Sequence, residues 1–348
     1  MTEESGGVSH GGPGGPGSWN PPGHSEQSRP PGTLSERLTG VAYRLGWSAI
    51  RRVPLSWAQW AFATAAGIAW RRQGPGVQVL EANLRRVLSW KYGTDEVDGK
   101  ELRELSRATL QSYARYWLEV FRLSVTPTER LVSGMRFRGP NEATIFAHLK
   151  AGPGVIIALP HMGNFEQAGV WVIQRGAGKF TTVAERLKPE SVYESFLRFR
   201  RSLGFEVLPL TGGGSPFGTL AQRLRAGGLV CLVSDRDLKE SGVEVEMFGE
   251  KARISAVAAL AVHTGAALMP TACWFDGEDW GATIYDEIPV PETGTRAEKV
   301  AAMSQQLADR FAEAIAEHPE DWHMLQKVFV ADLDQARLPQ VPAQRSSS

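Results

Sequence analysis

Residues 159–169, LPHMGNFEQAG, place His161 directly behind an apolar run and Glu166 five positions further on. An alcohol is a poor nucleophile until a base takes its proton, and neutral imidazole titrates near working pH. A carboxylate on the other ring nitrogen would fix the tautomer and stabilise the imidazolium. Within one helix, residues five apart lie about 140° around from each other and cannot share a face. If instead a strand ends at Pro160 and Asn164 caps a helix, Glu166 falls in the first helical turn and can meet His161. The N–H groups of that turn would then be available to an oxyanion. The same residues also fit a plain polar turn whose histidine is only hydrogen-bonded.

Other apolar runs end in polar residues too. TTVAERL sets Glu185 and Arg186 behind a strand, and LVCLVSDRD sets Asp235, Arg236 and Asp237 behind another. Acids and arginines gathered at one edge of a sheet suit a site, although any of them alone suits a surface loop. The helical stretch 189–203 turns Val192, Phe196, Phe199 and Leu203 to one face, leaving Arg198, Arg200 and Arg201 for solvent or an anion. TGGGSPFG (211–218) is a turn able to approach a phosphate, but it matches neither a P-loop nor G-x-S-x-G.

The positioning elements are legible in outline. GVIIALP, FTTVAE, FEVLPL, LVCLVSD, ALMPTACWF and ATIYDEIPV read as strands. Helical segments separate several of them, and a last helix starts near Arg296. Short buried strands alternating with helices predict an α/β fold with a largely parallel central sheet flanked by helices. In such sheets, sites gather where strands end and helices begin. Upstream, residues 101–123 carry Leu102, Leu105, Leu110, Tyr113, Trp117 and Val120 at helical spacing. That helix reads as core, with aromatics that also suit the wall of an acyl groove.

Residues 34–90 differ in kind. Eight arginines stand against two glutamates, and five of the chain's 11 tryptophans fall here. Arginine beside indole is the chemistry of a membrane interface. VPLSWAQWAFATAAGIAW (53–70) is uncharged but rich in Ala, Gly, Ser and Gln. It fits an interfacial helix, a weak membrane span, or one arm of an Arg-rich hairpin capping the fold. Residues 1–33 are Gly-, Pro- and Ser-rich and read as a disordered tail without a signal peptide. The remaining divisions are a folded domain over 91–335 and a flexible tail over 336–348. Lys+Arg and Asp+Glu are both 38, so no charge excess points to a partner, and no basic stripe with interleaved aromatics points to nucleic acid. There are two cysteines, Cys231 and Cys273, each in an apolar strand run; so low a count excludes a disulfide framework and makes a reducing compartment the default. No metal is expected, because no ligand spacing for one is present.

The ordered blocks resemble the bacterial lipid A biosynthesis (lauroyl/myristoyl) acyltransferase superfamily, and more closely its phosphatidylinositol mannoside acyltransferases. HMGNFE (161–166) carries the H-x₄-D/E hallmark with Glu in the last place. The match includes ANLRRVL (82–88) upstream, and AERL (184–187), SDRD (234–237), FGEKA (248–252), HTGAALMP (263–270) and DWHMLQ (321–326) follow in the family's order, the last typical of the mannoside branch. Ile254-Ser255 stands where many relatives place a Pro-containing turn, so that loop's shape is the one departure. The resemblance implies a glycerolipid-acyltransferase-like fold and transfer of a fatty acyl chain from acyl-CoA to a mannose hydroxyl, with acyl-CoA as co-substrate and no cofactor. It implies His161 as base with Glu166 orienting it, and Glu185, Arg186, Arg200, Asp235 and Arg236 in the substrate pocket. A monomer at an anionic membrane, on the cytoplasmic face of the plasma membrane, is expected. The rivals are a lipid A-type or lysophospholipid acyltransferase, a thioesterase, and a non-catalytic lipid-binding protein.

Overall fold

The computed structural model describes residues 43, 45–139, 142–185, 190–210, 215–237 and 242–335. The tails expected over 1–33 and 336–348, Arg186, Pro189 and residues 211–214 of the Gly-rich turn lie outside them.

Seven strands form the central sheet. They are β1 (Met135–Arg138), β2 (Val155–Leu159), β3 (Phe180–Ala184), β4 (Phe205–Pro209), β5 (Leu229–Val233), β8 (Ala267–Asp276) and β9 (Asp279–Ile284), in the spatial order β1-β9-β8-β2-β5-β3-β4. Only the β8–β9 pair is antiparallel. The largely parallel sheet read from the apolar runs is therefore present. Its central strand β2 is buried at every residue, as a strand covered on both faces must be. A separate antiparallel hairpin, β6 (Val243–Met247) and β7 (Glu250–Ile254), stands beside it.

The helices flank this sheet: α1 (Leu55–Arg72), α2 (Pro75–Tyr92), α3 (Gly99–Arg122), α4 (Thr128–Ser133), α5 (Glu142–Ala151), α6 (Phe165–Val172), α7 (Glu190–Ser202), α8 (Pro216–Arg225), α9 (Ala258–Thr264), α10 (Arg296–Glu317) and α11 (Val330–Gln335). Local signals start several of them. Pro75 and Pro216 sit in first turns, Asp98 and Asn164 cap α3 and α6, and Thr295 with Glu298 forms a capping box on α10.

The stretch 34–90 is not one outlying membrane segment. From Pro75 onward it is core: Leu80, Leu84 and Val87 of α2 are fully buried, and Asn83 Nδ2 donates to the carbonyls of Met324 (2.9 Å) and Gln326 (3.0 Å). Arg86 is held by Asp332 and Glu250 rather than offered to a membrane. The reason is spacing, since 80, 84, 87 and 88 share one face, and the arginines lie off it. The helix α1 behaves differently. Trp57 and Trp60 are 71% and 72% exposed, and Leu55 and Ile68 are also exposed. Among the described residues, no helix is long and apolar enough to cross a membrane.

Candidate active site

The strand β2 ends at Leu159, and Pro160 leads into the turn that carries His161. Gly163 takes φ +56° there, and a Cβ on it would lie 2.5 Å from the Cys273 carbonyl oxygen, so only glycine fits. Asn164 then caps α6 by accepting the Gln167 N–H at 3.0 Å, and its own amide donates to Glu119 at 2.6 Å. The polar turn predicted from sequence is thus built as expected.

The partner of His161 is not the one the spacing suggested. His161 Nδ1 lies 2.6 Å from Asp235 Oδ1, and the His161 backbone N–H donates to Asp235 Oδ2 at 2.9 Å. Strand register explains this. Leu159 pairs with Val233 across β2 and β5, and His161 and Asp235 each lie two residues further on. The start of α6 turns Glu166 the other way, toward α7, where Arg200 Nε donates to it at 2.9 Å and Nη2 adds a second bond. Both members of that ion pair are buried or nearly so. Glu166 therefore holds Arg200, and Asp235 orients His161.

Asp235 is fully buried. Burial opposes its ionisation, but the His161 charge and hydrogen bonds from the His161 ring, the Trp322 indole and the His161 backbone outweigh that, holding the carboxyl below the usual range. An ionised Asp235 on Nδ1 places the ring proton there and leaves Nε2 as an acceptor. The His161 side chain is 27% exposed and lines an apolar cavity of about 360 Å³.

The cavity walls span the sheet. His161, Glu185 and Arg236 lie just past the C-terminal ends of β2, β3 and β5, whereas Phe180 and Phe205 begin β3 and β4. The space thus runs the length of the strands, beneath α6. Gly169 of α6 keeps that ceiling close, because a Cβ there would meet the Phe180 and Phe205 rings at 3.0 Å. Glu185 and Arg236 pair at 3.4 Å, and Arg236 Nε is buried without a hydrogen-bond partner among the described residues. Cys231 faces the cavity and Cys273 is core, and burial raises both thiols, Cys273 to about 12.

Two groups of wall residues were not among the site residues expected from the sequence. Tyr113, Tyr116 and Trp117 of α3 line the cavity as well as the core, the groove role left open for them. His323 lines it too, its backbone N–H donating to the His161 carbonyl at 2.8 Å. The DWHMLQ block was the available signal for His323, but nothing in its spacing tied it to His161.

The sequence model for bacterial lipid A biosynthesis acyltransferases matches residues 33–330. The chain belongs to that family. This acyltransferase is 47% identical over 306 residues to the phosphatidylinositol mannoside acyltransferase of Mycolicibacterium smegmatis, covering 87% of this chain and 95% of that one. It is 46% identical over 314 residues to the protein of the same name from Mycobacterium tuberculosis, covering 90% and 95%. A 1-acyl-sn-glycerophosphate acyltransferase structure from Thermotoga maritima aligns with a TM-score of 0.33 and 13% identity, over 59% of this chain and 86% of that one. As an acyltransferase it takes an acyl donor and a lipid acceptor.

Proposed function

We propose that this acyltransferase moves a fatty acyl chain from acyl-CoA to a mannose hydroxyl of a phosphatidylinositol mannoside. The observation that carries the reaction is the His161–Asp235 pair at the wall of an apolar cavity. The choice of acceptor is supported by 46–47% identity to proteins named for it.

In this reading, His161 Nε2 takes the proton of the sugar hydroxyl as its oxygen attacks the thioester carbonyl. Asp235 holds the tautomer and stabilises the imidazolium. The developing oxyanion meets first-turn N–H groups of α6 other than that of Gln167, which the Asn164 cap already holds, and the Arg236 guanidinium at the cavity wall. As the tetrahedral species collapses, the C–S bond breaks and the imidazolium returns its proton to the thiolate. The products are an ester and free CoA. No acyl-enzyme forms and no cofactor or metal takes part. The enzyme works as a monomer on the cytoplasmic face of the plasma membrane, with the exposed indoles of α1 in the lipid interface.

The test is mass spectrometry of lipids after pure enzyme meets acyl-CoA and a panel of glycolipids. Mannoside acceptors should gain one acyl group, and His161→Ala should lower transfer by about 10³-fold or more. Activity of His161→Ala within a few-fold of wild type would remove the base assignment. Thioester cleavage that no glycolipid accelerates would make the protein a hydrolase.

A further inference from the structure

Two blocks of the sequence, FGEKA and DWHMLQ, have no part in the chemistry above, yet they converge on Asp235. Trp322 is fully buried, and its indole Nε1–H donates to Asp235 Oδ2 at 3.0 Å. We propose that Trp322 is a positioning residue for the His161–Asp235 pair: its indole, braced by the Phe248 turn, fixes the carboxylate so that Oδ1 is handed to the imidazole. The proposal rests on the base role given to His161.

A carboxylate turns about its last bond with little resistance, and only one oxygen can serve the ring. The other must be held. Asp235 is sealed from solvent, so the holding donors must be protein groups. Here they are the His161 backbone N–H and the Trp322 indole, which can donate but never accept, and so enforces one orientation.

The indole is itself over-determined. Residues 321–323 lie alongside 161–163. The Gly163 N–H donates to the Asp321 carbonyl at 3.0 Å, the His323 N–H donates to the His161 carbonyl at 2.8 Å, and Met162 and Trp322 form a bridge. On its outer side the Trp322 ring meets Phe248, with centroids 6.0 Å apart. Phe248 and Gly249 form the two-residue turn between β6 and β7, both at positive φ, +54° and +77°. Asn or Gly is the low-cost choice there, and a bulky residue in that conformation is strained. The strained position is occupied by an aromatic that is buried against Trp322 and covered by Trp90.

The experiment compares Trp322→Phe, which keeps a ring beside Phe248, with benzothienylalanine placed at 322 by nonsense suppression. The latter keeps the indole's shape and lacks the N–H. Losing a hydrogen bond to a charged group should lower kcat about 10-fold, with both KM values within about twofold of wild type. Asp235, freed of the donor that fixes it, should hold the imidazolium less well. The acid limb of kcat/KM then moves to lower pH, and the ring-proton titration of His161 followed by NMR moves with it. The other charged or titratable groups around the pair are the Glu166–Arg200 and Glu185–Arg236 ion pairs, His323 and, behind it, Asp321, all left intact by these substitutions. In an Asp235→Asn background the effect should vanish. Wild-type kcat and acid limb in the benzothienylalanine protein would overturn the proposal. So would a kcat loss equally large in the Asp235→Asn background, which would mark Trp322 as packing alone. The NMR titration needs no substrate, so it judges Trp322 even if the acyl-transfer assay fails for the wild-type enzyme.

Discussion

Two buried carboxylates stand near His161, and substitution separates their roles. In Asp235→Asn the amide keeps the volume and can still accept from Trp322 and the backbone. It cannot serve His161 Nδ1–H as an anion, so the imidazole loses both its tautomer and its counter-charge. The expected result is a fall in kcat on the order of 10³-fold, with the denaturant midpoint nearly unchanged. Glu166→Gln should behave in the opposite way. It leaves the Arg200 guanidinium without its charge partner in a site where the side chains are only 12% and 2% exposed. Breaking such a pair costs about 3 kcal/mol or more, read as a lowered midpoint in urea. A Glu166→Gln enzyme of normal stability whose kcat alone collapses would restore the orienting role to Glu166.

At the scale of elements, what matters is how α3 is tied to the 321–323 segment. Ser112 on α3 donates to Asp321 Oδ1 at 2.5 Å and meets His323 Nε2 at 2.8 Å, while Asp321 Oδ2 accepts the Phe275 N–H at 2.7 Å. Burial pushes His323 down to about 3, with His161 adding to it. Burial likewise pushes Asp321 up to about 6. The signs are opposite. Between pH 6.5 and about 3 the unfolded chain binds a proton that folded His323 refuses, so stability falls as pH drops. Between about pH 4 and 6 folded Asp321 keeps a proton that the unfolded chain releases, so stability falls as pH rises. The two contributions offset each other in wild type. Asp321→Asn should expose the first, a loss of about 1.4 kcal/mol per unit as pH falls from 6.5. His323→Gln should expose the second, a loss as pH rises from 4 to 6. Urea unfolding at several pH values checks both, and parallel slopes in the two variants would break the pairing. None of this link is visible in the sequence, because it joins residues more than 200 apart. Apolar runs were legible: β2, β3, β5 and β8 inside the sheet, and β4 at its edge, where Phe205, Val207 and Leu208 still read as apolar. The strand β1, MRFR, was missed because it has four residues and two of them are arginines alternating with the inward-facing ones. The β6–β7 hairpin was missed for the same reason, its Glu, Lys and Arg alternating with buried residues. His161 was legible as a candidate, whereas its partner depended on β5 lying beside β2, a fact of strand order.

For the whole molecule, the question is how a folded α/β body meets a lipid acceptor. The N-terminal region divides the work. Trp47 is buried, donating to the Phe121 carbonyl at 2.9 Å, and Trp70 donates to Ser106 while Arg103 covers its ring. These indoles anchor α1 and the helical residues 45–52 before it to α3. Trp57 and Trp60 do the reverse, standing out from the same helix beside Leu55, with Arg71 and Arg72 at its end. An amphipathic indole loses little by leaving water at one end only, and arginine gains from anionic headgroups, so this face suits an interface better than bulk water. Replacing both exposed indoles, as Trp57→Ser with Trp60→Ser, should leave unfolding unchanged because neither contributes to the core. Affinity for anionic vesicles should fall about 10-fold or more, given the apolar area lost from the bilayer. Turnover on vesicle-borne acceptor should fall with it, while turnover on a short-chain, water-soluble mannoside should hold. Co-sedimentation with phosphatidylinositol-containing vesicles at low and high salt reads the binding directly. If the double variant binds vesicles like wild type, the exposed face of α1 is not a membrane contact.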